Sequence, residues 1–169
     1  MIELLLGQDI DVNRQNNYGV TAFYHAVDRG HYKVIKLLLD RDDIDHNIPD
    51  NHGCTPLFIA VSGSNRSVQV VDLLLRKKGI DVNARDEKGS TALALVCTTK
   101  ARSEDTVDFV RLLLSHPDTD PNILDNNGVS VLSKVVELGG IRTDYWGFPV
   151  TDLDKYQRIE SLLRAAGAR

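Results

Sequence analysis

The chain of 169 residues is poor in the features that usually announce a site. It holds two cysteines, one tryptophan and one methionine, with 6% aromatic residues, and its 20 basic against 24 acidic side chains leave a formal charge of −4. Without a basic excess there is no clustered positive face of the kind phosphate backbones favour, so nucleic acid is not expected as a partner. No apolar run approaches the roughly 18 to 20 residues that span a bilayer, and no basic-then-apolar leader follows Met1. Membrane insertion and secretion are therefore not expected, and an intracellular location, cytoplasmic or nuclear, is. Cys54 and Cys97 have no ligand partner at CxxC spacing, so a metal is not expected. They read as packing thiols of a reducing compartment. No phosphate-cradling glycine loop or nucleophile motif is present, and no cofactor is expected.

What the chain does have is recurrence. Asp50 to Val61 reads DNHGCTPLFIAV: a turn closed by Gly53, a helix cap at Thr55, Pro56 at the first helical position, and apolar residues at Leu57, Ile59, Ala60 and Val61. Proline costs nothing at that position, because the first N–H of a helix has no partner anyway. The same phrase returns as NNYGVTAFYHAV from Asn16, DEKGSTALALVC from Asp86 and DNNGVSVLSKVV from Asp125. Its glycines, Gly19, Gly53, Gly89 and Gly128, stand 34, 36 and 39 residues apart. A second phrase lies between: VIKLLL from Val34, VVDLLL from Val70 and FVRLLL from Phe109. Each cycle returns to an asparagine, Asn13, Asn47, Asn83 and Asn122, at the same spacings of 34, 36 and 39. Whole units therefore repeat in register, and Cys54 and Cys97 fall at different places in theirs, which argues against a disulfide.

This pattern resembles the ankyrin repeat, D-x-x-G-x-T-P-L-H-x-A-A followed by V-V-x-L-L-L and G-A-D-V-N, over essentially the whole chain. The resemblance implies an all-α solenoid of stacked helix-turn-helix units with β-hairpin-like finger loops. It divides the single domain 1–169 into a partial repeat over 1–12, holding a second helix alone, and repeats over 13–46, 47–82, 83–121 and 122–169. The beginning within a repeat suggests a piece of a longer array or a frayed start. The family's histidine is replaced by Tyr24, Phe58, Ala94 and Ser133, so the hydrogen bond it gives the cap threonine is expected to be missing. Tyr24 is counted with the outward positions, and the repeat asparagines are expected to hold the finger turn; in some family members that residue is hydroxylated.

Insertions are expected between paired helices at SGSNRS, 62–67, as a flexible bulge, and at TTKARSED in the third unit, where Ser103, Glu104 and Asp105 would start a helix running from Thr106 to Leu114. A longer insertion, 141–155, holds Trp146 beside Tyr145, Phe148 and Pro149. It suits a cover for the exposed end of the stack, or a partner site. The last helix is expected over about Lys155 to Ala166, its alignment to the leucine triplet open by one residue.

A repeat stack offers a long concave surface and no catalytic pocket, which points to a protein–protein interaction module rather than an enzyme. Carried over from the family, the contact positions are Asn17, Tyr18, Val20, His25 and Arg29 in the first unit, then Asn51, His52 and Ile59. Glu87, Lys88 and Leu95 follow, then Asn126, Asn127 and Lys134, with Trp146 as an outlying candidate. Tyr18, His25, Ile59 and Leu95 are the sharpest, since an apolar or aromatic side chain in a polar groove anchors a partner. Mixed charge along the row points to an amphipathic or polar protein, bound by a monomer or by part of a longer array. The alternatives are an ankyrin domain belonging to or regulating a larger enzyme, and a small-molecule or catalytic groove within the stack.

Overall fold

The computed structural model describes residues 11–99, 105–140 and 153–169. Residues 1–10 of the partial repeat, 100–104 of the third unit's insertion with Ser103 and Glu104, and 141–152 with Trp146 lie outside the described residues. The described residues form eight helices joined by turns and loops: α1 Ala22–Asp28, α2 Tyr32–Leu39, α3 Pro56–Ser62, α4 Val68–Leu75, α5 Ala92–Thr98, α6 Asp105–Leu114, α7 Val131–Gly140 and α8 Leu153–Ala165.

The first helix of each pair starts where its cap sits. The hydroxyls of Thr21, Thr55, Thr91 and Ser130 accept the N–H three residues on, from Tyr24 at 3.0 Å, Phe58 at 3.3 Å, Ala94 at 3.2 Å and Ser133 at 3.2 Å. One of the orphan donors at each start is thereby satisfied. These helices pack in file, α1 against α3, α3 against α5 and α5 against α7, each backed by the next helix in sequence. Behind them α4 lies on α6 and α6 on α8. Phe23, Leu57, Leu93 and Leu132 recur at one position of the front rank and are all buried. So are Leu38, Leu74, Leu113 and Leu163 in the rear rank. The core is a row of such side chains, each worth about 1.5–3 kcal/mol when fully buried.

The last helix, α8, closes with Ala166 donating to both the Leu162 and Leu163 carbonyls, as Ser115 does to Arg111 and Leu112 at the end of α6. Ile159 and Leu163 are completely buried on its inner side, while Glu160, next to Ile159, pairs with Arg164 at 2.8 Å.

The finger turns are built by one carboxamide or carboxylate each. Asn16 Oδ1 accepts from the N–H groups of Tyr18 and Val20, and Asp50, Asp86 and Asp125 do the same two and four residues on. The glycine in each turn has φ between 74° and 80°. At Gly19 a Cβ would also come within 2.6 Å of the Asn51 backbone nitrogen, so the next finger closes down on the glycine. That approach is a ladder: Asn51 donates to the Tyr18 carbonyl at 3.1 Å, Glu87 to His52 at 2.8 Å and Asn126 to Lys88 at 3.1 Å. Single antiparallel bridges, Arg85 with Thr91 and Leu124 with Ser130, give the fingers their hairpin character.

The side chains of the repeat asparagines, expected to hold the finger turn, reach to the next unit's loop instead. Asn13 Nδ2 donates to the Asp43 carbonyl at 2.7 Å while its Oδ1 accepts from Asp45 N–H at 2.8 Å. Asn47 binds Gly79 and Asp81, Asn83 binds Asp118 and Asp120, and Asn122 binds Gly167 and Arg169 in the same way. Each one spans to the equivalent loop one period later.

Two further departures from the sequence reading have local causes. Tyr24 is not outward-facing: it is 6% exposed, and its hydroxyl donates to Asp50 Oδ2 at 2.8 Å in the next unit. The side-chain bond expected to be missing at the cap is present in the fourth unit, where Ser133 and Ser130 hydroxyls lie 3.0 Å apart. The 62–67 loop is tied in both directions, with Asn65 Nδ2 donating to the Asp28 carbonyl at 3.3 Å and Arg66 lying 5.7 Å over the Phe109 ring.

Candidate interaction surface

The finger tips and the outer side of the front rank share one edge of the stack. Along the tips run Asn17 and Tyr18, Asn51 and His52, Glu87 and Lys88, then Asn126 and Asn127, all exposed. Several are committed to neighbours. Asn51 Nδ2 donates to the Asn17 carbonyl at 3.0 Å and Asn126 Nδ2 to the Glu87 carbonyl at 2.9 Å, so these two amides tie successive fingers together. His52 Nδ1 lies 3.1 Å from Glu87 Oε2, and that carboxylate raises the imidazole above its ordinary pKa.

Behind the tips, His25 and Arg29 are exposed, with Arg29 3.6 Å from Asp28. Ile59 and Leu95 are half-buried and pack on the core, so each offers an edge rather than a whole side chain. Lys134 is half-buried because its Nζ sits 2.6 Å from Asp125 Oδ2. The ammonium and the N–H groups of Val129 and Asn127 hold Asp125 down to about 2. Val20 is half-buried, as are Cys54, Ser90 and Val129 at the same place in their units. The Ser62 and Thr98 hydroxyls turn inward to the carbonyls of Phe58 and Ala94, both at 2.9 Å.

Among the described residues, the side chains of Asn17, Tyr18, His25, Lys88 and Asn127 make no hydrogen bond or ion pair. Tyr18, at 75% exposed, is the largest free apolar group on this edge. The floor beneath it was missed in the sequence: burial first, then the Asp50 carboxylate, push the Tyr24 hydroxyl far above its ordinary pKa, so it remains a donor. A tyrosine standing in the place of the family's histidine was the available signal. Burial and the Asp50 and Asp86 carboxylates raise the Cys54 thiol to about 11, and burial pushes Cys97 up further. Both cysteines are free, and neither is a thiolate at neutral pH.

Helix pairs in two ranks, with hairpin fingers laddered along one edge, define a repeat solenoid. A family model described as ankyrin repeats, in three copies, matches residues 1–86. An ankyrin repeat domain from Acinetobacter baumannii AYE superposes with a TM-score of 0.78 at 25% identity, over 99% of this chain and 74% of that one. The ankyrin repeat protein EF0377 superposes with a TM-score of 0.76 at 23% identity, over 99% and 75%, a likeness of fold. No curated protein matches the sequence. The chain belongs to the ankyrin repeat family, whose members generally serve as protein-binding modules and are typically not catalysts. No helix among the described residues is long and apolar enough to cross a membrane.

Proposed function

We propose that residues 1–169 act as one repeat domain, with a partial repeat over 1–12 and repeats over 13–46, 47–82, 83–121 and 122–169, that binds another protein along the finger tips and the outer side of α1, α3, α5 and α7. What carries this reading is Tyr18, 75% exposed beside the uncommitted His25 and Asn17. A large amphipathic ring on a rigid ladder binds at little entropic cost, which is why such residues anchor interfaces. Ile59 and Leu95 extend the apolar edge, and Lys88 and Asn127 supply polar contacts further along. The tips are exposed, which supports binding over turnover: acid–base chemistry needs a site that excludes water. The proposed partner is an amphipathic or polar protein segment held within the cell.

The test compares proteins captured by the full chain with those captured by a Tyr18→Ala, His25→Ala double variant and by a control altered on the rear rank, Lys33→Ala with Gln69→Ala. All four side chains are exposed, so folding should be preserved and is checked by circular dichroism. Specific loss with the first variant alone supports the assignment. Equal capture by all three would place the binding surface elsewhere.

A further inference from the structure

The position before each repeat asparagine is an apolar seat between successive loops. Val12, Val82 and Pro121 occupy it in three units and are buried. In the repeat over 13–46 the seat holds His46. Both of its ring nitrogens are out of reach of solvent and have no hydrogen-bond partner among the described residues. A neutral imidazole there leaves an N–H and a lone pair unsatisfied, and a protonated one adds a charge.

We infer that the loop around His46 is an acid-sensitive joint in the stack, which loosens when the imidazole takes up a proton. Its location gives the joint leverage. Asp45, on one side, gives its N–H to Asn13 at 2.8 Å, and Asn47, on the other, grips Gly79 and Asp81 at 2.7 and 2.9 Å. His46 thus sits where two consecutive asparagine links meet, and a displacement there strains both. The charged groups that reach it are Asp45 from its own loop and Lys77 from the loop after α4. Burial outweighs the attraction of Asp45, and Lys77 adds repulsion, so the ring lies below its ordinary pKa in the folded protein. The unfolded chain then binds the proton more tightly. Stability is retained above about pH 6.5, the unperturbed value, and falls as the pH drops from there toward the folded pKa.

His52, in the next unit, is an internal control, because Glu87 shifts it in the opposite direction. The experiment is an NMR titration of the histidine ring protons of the whole chain, with thermal unfolding at pH 7.5 and pH 5 of the native sequence, His46→Val and His46→Gln. Valine is what positions 12 and 82 carry at this seat, so that variant keeps the fold. Expected are a His46 midpoint below the value the same ring shows in the urea-unfolded chain, a His52 midpoint above its own unfolded value, and a native Tm that drops by roughly 2 °C or more beyond either variant's drop. A His46 midpoint at or above its unfolded value, or three parallel losses of Tm, would overturn the inference.

Discussion

The fourth helix pair and the three before it use the same backbone for opposite ends. In α2, α4 and α6 the completely buried Ile35, Val71 and Val110 are followed by a leucine triplet, whereas α8 keeps Ile159 buried but sets the ion pair of Glu160 and Arg164 around its two leucines. The front rank of the same unit makes no such change. Val136 matches the buried Val27, Val61 and Cys97 yet is 42% exposed, and Leu124 in the preceding finger is 49% exposed. The rear face of the last pair is thus suited to water while its front face still carries the apolar residues of an interior unit. A position in a repeat array is defined by its neighbours as much as by its sequence.

This contrast can be broken most forcefully in the rear rank. Leu113→Ala should cost about 2–5 kcal/mol in urea unfolding, since it opens a cavity in a fully buried row. Arg164→Ala, at the charged end of the same rank, should change stability by less than about 1 kcal/mol, as exposed pairs do. If the two costs proved equal, the distinction between the interior and last pairs would fail. Next in size, Gly53→Ala should cost roughly 1–2 kcal/mol, because its φ of 80° is strained for any side chain. Asn47→Ala removes two links at about 1 kcal/mol each. Asn122→Ala should cost less, since its amide reaches Gly167 at a longer 3.3 Å. Smallest is an electrostatic change: with Lys134→Ala, the Asp125 carboxyl should titrate higher than about 2 in an NMR experiment. Because folding lowers that pKa, the Lys134 pair stabilises the protein above the ordinary carboxylate range near 4 and ceases to as pH falls toward 2.

The sequence showed the helices, caps and finger glycines because each depends on residues a few positions apart. Thr55 before Pro56, or Gly53 closing a turn begun at Asp50, can be read from one unit alone. Contacts across units were harder. The bond from Tyr24 to Asp50 spans 26 residues, and the forward reach of the asparagines begins at 30, so the Asn at each return was visible as a period but not as a link. The alignment of the last helix stayed open by one residue because Leu162 and Leu163 alone do not say which leucine of three is absent. On the candidate surface the positions were legible from the resemblance, and their commitments were not. Nothing local tells that Asn51 and Asn126 hold neighbouring fingers, or that Lys134 is occupied by Asp125.

The asparagine links also have a direction. Every one reaches toward the C-terminus: Asn13 by 30 and 32 residues, Asn83 by 35 and 37, and Asn122 by 45 and 47. On a ribosome, which releases the N-terminus first, a newly made loop must wait for that much more chain before its amide finds acceptor and donor. During synthesis each asparagine link can therefore close only once the following unit has emerged.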